Sequence, residues 1–107
     1  MKTAIVLALL VVGVASQQEP QVLDISAPET LAIANDLTRQ YAEKINAPGS
    51  IRLNRVEDGT VLGRGTRVEQ YMIRAIVTTM HGSQSFCTRF DALRTDGILT
   101  LYKWNMC

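Results

Sequence analysis

The sequence predicts an α+β domain in which one long N-terminal helix packs on an antiparallel sheet of four to five strands. Between residues 28 and 45 apolar side chains recur at the helical period, and after Gly49 they recur at the two-residue period of strands. Short segments rich in glycine and polar residues separate the extended stretches, as expected for strands joined by hairpins. A helix followed by such strands must cover the apolar face of their sheet.

The first 16 residues have the pattern of a secretory signal peptide. Lys2 precedes an uncharged, mainly apolar run at residues 4–14, and small residues follow as far as Ser16. The run is about half of the roughly 20 apolar residues that a membrane-spanning helix needs. We therefore expect residues 1–16 to be removed, and residues 17–107 to form one secreted, extracellular domain.

The charge balance of the predicted domain narrows the classes of partner. Without Lys2, ten basic residues face ten acidic residues. Nucleic-acid binding and adsorption to a membrane surface both need a dominant positive field. The balanced charge argues against both kinds of partner and leaves a protein as the expected one.

Cys87 and Cys107 are the only cysteines in the chain. In an oxidising compartment we expect them to form an intramolecular disulfide, with a free thiol and an intermolecular bridge as the alternatives. Closing a loop of about 20 residues stabilises a fold by roughly 3 kcal/mol in the chain-entropy model. Two cysteines and the single His81 make no convincing metal-ligand set, and we expect neither a metal nor another cofactor.

A helix is predicted between Ser26 and Asn46. Ser26-Ala27-Pro28-Glu29 has the form of a capping box, and Asn46-Ala47-Pro48-Gly49 stops the helix. An apolar stripe is expected to face the sheet, and its members are Leu31, Ala34, Leu37, Tyr41 and Ile45.

Four strands are predicted after the helix. The first lies at residues 51–56 and is followed by a turn or bend marked by Glu57-Asp58-Gly59 and by two further glycines. Residues 68–79, 86–93 and 98–106 form the others, separated by turns at residues 80–83 and 94–97. Alternation places two inward-facing sets on these strands: Tyr71, Ile73, Ala75 and Val77, and Phe86, Thr88, Phe90 and Ala92.

This order of elements resembles the cystatin family: a signal peptide, an extended lead-in, one long helix and four antiparallel strands. The most specific part of the resemblance is the segment from Cys87-Thr88-Arg89-Phe90 to Cys107, since secreted cystatins tie their last two strands with a disulfide of similar separation. The strand that begins Val68-Glu69-Gln70-Tyr71 also resembles the family strand that follows the first inhibitory hairpin.

The resemblance implies reversible inhibition of papain-like cysteine proteases by a wedge made of the lead-in and two hairpins. The residues that it assigns to partner binding are Val61, Leu62, Gly63, Arg64 and Gly65 of the first hairpin, Thr95 and Asp96 of the second, and Leu23 of the lead-in. This chain lacks the lead-in glycine, the Gln-x-Val-x-Gly hairpin motif and the Pro-Trp pair of the family. A non-inhibitory extracellular ligand on the same scaffold is therefore the alternative, since charged tips such as Arg64 and Asp96 are costly to bury unpaired.

Trp104 and the arginines of the sheet region each have two interpretations. Trp104 is either a binding anchor or half-buried packing on a strand. The arginines of the sheet region form either a basic face or a solvated face balanced by nearby carboxylates. They are Arg52, Arg55, Arg64, Arg67, Arg89 and Arg94, and the carboxylates are Glu57, Asp58, Glu69 and Asp91.

Catalysis is not expected. His81 lies in a turn, with Ser83 and Ser85 close by in sequence but without a nucleophile motif around them. Cys87 could pair with His81 as a nucleophile only if Cys87 were free. The sequence therefore predicts a binding protein and no enzyme.

Overall fold

The structure is a computed structural model that describes residues 19–81 and 83–107. The predicted signal peptide, residues 1–16, lies outside the described residues. Within the described ranges, no helix combines the length and the apolar character needed to cross a bilayer. The elements in chain order are β1 (Gln21–Val22), α1 (Pro28–Lys44), β2 (Ile51–Leu62), β3 (Val68–Thr79), β4 (Ser85–Thr95) and β5 (Ile98–Met106).

The predicted α+β class is confirmed. The five strands form one antiparallel sheet in the order β1-β2-β3-β4-β5, and α1 packs on one face of it. The prediction of an N-terminal helix is wrong, because β1 precedes α1. Gln21 and Val22 pair with Val61 and Thr60 of β2, and the Leu23 N–H then donates to the Gly59 carbonyl at 2.9 Å.

The predicted capping box at the start of α1 is also wrong. Ala27 is the N-cap residue, and no side chain in the described part of the chain caps the helix. The carboxylate of Asp24 accepts hydrogen bonds from the Ser26 N–H at 3.0 Å and from the Ser26 hydroxyl at 2.7 Å. Ser26 therefore closes a local turn before the helix, and its N–H is not free to receive the Glu29 side chain.

The buried face of α1 overlaps the predicted stripe without matching it. Ala34 and Leu37 are fully buried and Tyr41 is half-buried, as expected, whereas Leu31 and Ile45 are exposed. The buried positions of the helix are Thr30, Ile33, Ala34, Leu37, Thr38 and Ala42. The helix thus contains two sets of residues at helical spacing, the predicted stripe and the buried set. The buried set is richer in small residues, and it is the one that lies against the sheet.

The turn predicted at residues 57–59 does not form. β2 continues through it and absorbs the irregular sequence at two register shifts within residues 53–58. Gly59 is buried because the strand lies against the lead-in: a Cβ at this position would stand 3.0 Å from Cδ1 of Leu23. The glycine therefore permits close packing of the lead-in instead of a turn.

The last three strands form as the sequence predicts, and two of them end at the predicted residues. β4 is longer than predicted at both ends, because it begins at Ser85 and continues to Thr95. Its connection to β5 therefore contains only Asp96 and Gly97. These residues have φ of 51° and 83°, the left-handed values that a two-residue hairpin turn of the primed type requires. Both predicted inward-facing sets lie on the helix-covered face, opposite one another in the β3–β4 register.

The core lies between α1 and this face of the sheet. Its largest fully buried side chains are Phe90, Leu37, Ile73, Leu101, Val61, Val77 and Thr88. The Tyr41 ring lies 5.6 Å from that of Phe90 and 6.0 Å, edge-on, from that of Trp104. Trp104 is half-buried against this core, in agreement with the packing interpretation of its sequence position.

The intramolecular disulfide is confirmed. Cys87 of β4 is bonded to Cys107, with 5.3 Å between their Cα atoms. The Cys107 N–H also donates to the Cys87 carbonyl at 3.2 Å, so the chain continues the strand pairing to its last residue. The bond ties β4 to the end of β5.

Candidate protein-binding edge

Three separate segments meet at one end of the sheet. They are the lead-in at residues 19–23, the β2–β3 turn with its flanks at residues 63–68, and the β4–β5 turn with its flanks at residues 95–98. Antiparallel pairing places them side by side, and the Asp96 N–H donates to the Arg67 carbonyl at 3.2 Å across the two turns. We call these three segments together the hairpin edge.

The residues assigned to partner binding from the sequence fall into two groups. Leu23 and Val61 are buried in the core and offer no side-chain surface to a partner. Leu62 and Gly63 are half-buried, and the exposed members are Arg64, Gly65, Thr95 and Asp96. The β2–β3 turn therefore presents its polar tip to the solvent, whereas the apolar residues before the tip anchor it.

The shape of the β2–β3 turn depends on Gly63. Its φ is 76°, and a Cβ at this position would lie 2.7 Å from the Val68 carbonyl oxygen. The Thr66 N–H donates to the Gly63 carbonyl at 3.0 Å and closes the turn. A side chain at position 63 would be excluded by both the dihedral angle and the contact.

Two ion pairs link the turns to their surroundings. Arg67 Nε donates to Asp96 Oδ1 at 2.8 Å, joining the two turns, and an Arg64 guanidinium nitrogen lies 3.5 Å from a Glu29 carboxylate oxygen at the start of α1. All four side chains are largely exposed. Exposed pairs contribute about 0–1 kcal/mol each, so these contacts mainly orient the turns.

A buried carboxylate that the sequence analysis did not assign to the site lies beneath the β2–β3 turn. Glu69 accepts a hydrogen bond from the Gly65 N–H at 2.8 Å and another from the Tyr71 hydroxyl at 3.0 Å. An Arg94 guanidinium nitrogen stands 3.5 Å from the same carboxylate. A sequence signal existed, because Glu69 shares the parity of Tyr71 and Ile73 and must therefore point toward the helix-covered face.

Electrostatics around Glu69 favour its charged form. The Gly65 N–H does most to hold the pKa of Glu69 below its ordinary value, and the Tyr71 hydroxyl and the guanidinium groups of Arg94 and Arg64 act in the same direction against the opposing effect of burial. Burial raises the pKa of Tyr71, and donation to Glu69 raises it further. The Arg94 guanidinium also lies 5.4 Å from the centre of the Tyr71 ring, within the range of a cation–π contact.

Apolar side chains stand exposed on the flanks of the turns. Val22 is 83% exposed, Ile98 is 71% exposed and Val68 is 48% exposed. Sequence reasoning assigned Val68 and Ile98 to strands without giving them a binding role, whereas Val22 lies in the lead-in that it assigned to partner binding. All three are strand residues near the turns, and each adds exposed apolar surface to the hairpin edge or its flanks.

The arginines of the sheet region are paired with carboxylates in several places. Arg55 lies 3.0 Å from Glu57, Arg89 lies 3.5 Å from Asp91, and Arg74 forms an ion pair with Asp58. The exposed pairs of Arg55 and Arg74 agree with the interpretation of the sheet surface as a solvated face of balanced charge, whereas Asp91 is buried beside Arg89.

The structure places the two residues that the sequence analysis weighed as catalytic groups. His81 is exposed in the β3–β4 turn, and the disulfide removes Cys87 as a thiol nucleophile. Across residues 19–81 and 83–107, no three His, Cys, Asp or Glu side chains come together as metal ligands. A cavity of about 240 Å³ lies between α1 and the β4–β5 hairpin, and Glu29, Asp36 and Arg94 are its charged lining residues.

In comparisons with known proteins, the chain matches no protein-family model, no curated protein and no solved structure.

Proposed function

We propose that this chain is a secreted protein of cystatin-like architecture that uses the hairpin edge to inhibit a papain-like cysteine protease reversibly. The observation that carries the proposal is the convergence of the lead-in and the two turns on one end of the sheet. Three adjacent backbone segments at one end of a sheet supply the parts that a wedge needs. The strand order and the disulfide between β4 and the chain end support the same assignment.

The exposed apolar side chains supply the chemistry that a wedge needs. Val22, Val68 and Ile98 would lose their contact with water on entering a cleft, which is the main favourable contribution to association. The lead-in and the turns are already held by backbone hydrogen bonds and by packing of Leu23 against Gly59. A preorganised edge loses little conformational freedom on binding.

Secretion is part of the proposal. It rests on the order of charge, apolar run and small residues in the first 16 residues and on a disulfide that needs an oxidising compartment to persist.

A non-inhibitory ligand for another extracellular protein is the second candidate, and the ion pair at the tips favours it. Arg67 and Asp96 satisfy one another at the outermost part of the hairpin edge. Burying that pair in an apolar cleft would remove both charges from water, whereas a polar protein surface could accommodate them.

The experiment is a titration of oxidised protein, residues 17–107, into papain and a cathepsin L-type protease while residual activity is followed. We expect stoichiometric, reversible inhibition at or below roughly micromolar protein. Val22→Asp and Ile98→Asp should each raise the inhibition constant about tenfold or more, because an exposed charge replaces apolar contact surface. Met80→Asp is the matched control, since Met80 is 54% exposed at the opposite end of the sheet.

Absence of inhibition at a large excess of folded, disulfide-bonded protein would exclude the inhibitor function. Equal effects of Ile98→Asp and Met80→Asp would exclude the hairpin edge as the binding surface. In the first case the second candidate takes its place.

A further inference from the structure

Glu69 occupies an unusual place for a carboxylate. Its side chain is 12% exposed, and it points toward the helix-covered face of the sheet beside Tyr71. Burial of a carboxylate is unfavourable unless donors satisfy it. Glu69 meets that condition with the Tyr71 hydroxyl and the Arg94 guanidinium on one side and a backbone N–H of the β2–β3 turn on the other.

The contact with the turn connects a rigid part of the molecule to the candidate binding surface. Tyr71 is buried in the core, and Arg94 lies on the neighbouring strand β4. Contacts with these two residues of the sheet therefore fix the position of Glu69. Its second carboxylate oxygen accepts the Gly65 N–H at the exposed tip of the turn. Hydrogen bonds to charged groups are about twice as strong as neutral ones, so this contact restrains the tip.

We propose that Glu69 is a positioning residue that holds the β2–β3 turn in its partner-binding conformation, and that its protonation releases the turn. The consequence for binding rests on the proposed function, but the effect on the turn does not. The charged and titratable groups that face Glu69 are Tyr71 on its own strand, Arg94 on β4 and Arg64 in the turn, with Glu29 of α1 next to both arginines.

The direction of the pH dependence follows from these contacts. The pKa of Glu69 is lower in the folded protein than in the unfolded chain, where a glutamate titrates near pH 4.3. The stabilisation is therefore complete above that unfolded value and is lost as the pH falls through the lower, folded value. Between pH 6 and 8 Glu69 remains charged, and the turn should stay fixed.

The first test measures the turn without a partner. Amide hydrogen exchange is followed by NMR at Gly65, and at Ile73 and Phe90 as reporters of the sheet, in oxidised residues 17–107. We expect Glu69→Ala to speed exchange at Gly65 about tenfold with little change at the other two amides. Glu57→Ala is the control, because Glu57 is an exposed carboxylate of β2 that pairs with Arg55 of the same strand.

Glu69→Gln and acidification separate the charge from the shape of the side chain. Glutamine retains an oxygen that can accept the Gly65 N–H but loses the charge that Arg94 faces, so we expect a smaller acceleration than for alanine. In the wild type, the ratio of Gly65 to Ile73 exchange should rise as the pH falls below about 4. The pH series uses the unmodified protein, so it tests whether charged Glu69 holds the turn even if Glu69→Ala does not fold.

The second test compares inhibition constants for papain at pH 7. We expect Glu69→Ala to weaken inhibition about tenfold and Glu57→Ala to leave it unchanged. Unchanged Gly65 exchange in the Glu69 variants and at low pH would overturn the positioning role. Faster exchange with unchanged inhibition would overturn its importance for binding. If the wild type does not inhibit, the proposed function fails, and the exchange data alone decide whether Glu69 positions the turn.

Discussion

The two ends of the sheet are stabilised by different interactions. At the hairpin edge, hydrogen bonds and ion pairs of Glu69, Arg67 and Asp96 hold the turns, and apolar side chains stand in water. At the opposite end, the Cys87–Cys107 disulfide and the aromatic contacts of Tyr41 join the strands and the helix. Polar contacts fix a shape but add little net stability, whereas a covalent link and apolar packing add much. The interactions that contribute most to stability thus lie at the disulfide end, away from the hairpin edge that we propose binds a partner protein.

The largest expected effect comes from removing the disulfide. Replacing both Cys87 and Cys107 by alanine should lower the free energy of unfolding by about 3 kcal/mol, since the loop between them is no longer closed in the unfolded chain. Urea denaturation of the variant and of the oxidised wild type measures the difference. Reductant should destabilise only the wild type. Faster exchange at Gly65 in the double variant under native conditions would show that the two ends are not independent.

An intermediate effect is expected from Gln40, which lies between the two ends. Its side chain donates to the Leu99 carbonyl at 3.0 Å and accepts from the Leu101 N–H at 2.8 Å, as a neighbouring strand would. Gln40→Ala should lower the free energy of unfolding by about 1–2 kcal/mol, because two backbone groups of β5 lose their partner. Arg39→Ala, an exposed change one residue away on the same helix, should cost less than half as much in the same denaturation experiment.

The smallest effect is expected at the tips. Arg67→Ala should lower the free energy of unfolding by no more than about 1 kcal/mol, because the pair with Asp96 is exposed to water. A double-mutant cycle with Asp96→Ala, measured by denaturation at low and at high salt, isolates the pair. A coupling energy well above 1 kcal/mol, or one that salt does not reduce, would contradict the view that polar contacts at this end orient more than they stabilise.

Strands β3 and β5 could be predicted to the residue because alternation and flanking turn signals agree there. The course of β2 could not, because Glu57-Asp58-Gly59 has the composition of a turn and the close approach of Leu23 and Ile73 explains the buried glycine. The start of α1 was misjudged for a similar reason, since Ser26 had two possible partners and Asp24 is nearer in sequence. Local patterns predict elements well where no distant segment competes for the same atoms.

The candidate site was predictable in its location and less so in its members. The glycines at positions 63 and 65 and the Asp96-Gly97 pair marked both turns. Leu23 and Val61 are buried where β1 pairs with β2. A strand of two residues has no recognisable sequence pattern, so this pairing could not be predicted. Glu69 was visible as a charge at an inward-facing position, but only its tertiary contacts connect it with the tip of the turn.

The outer side of β2 bears on how the protein behaves when it is concentrated. Among the described residues, only residues 21–23 form backbone contacts with this side of β2, which leaves the strand from Ile51 to Asp58 as an open edge. Open edges invite strand addition between molecules and fibre formation. The two register shifts within residues 53–58 interrupt the regular ladder there, and charged side chains flank them. These features make the edge a poor template for strand addition and favour a monomer at high protein concentration.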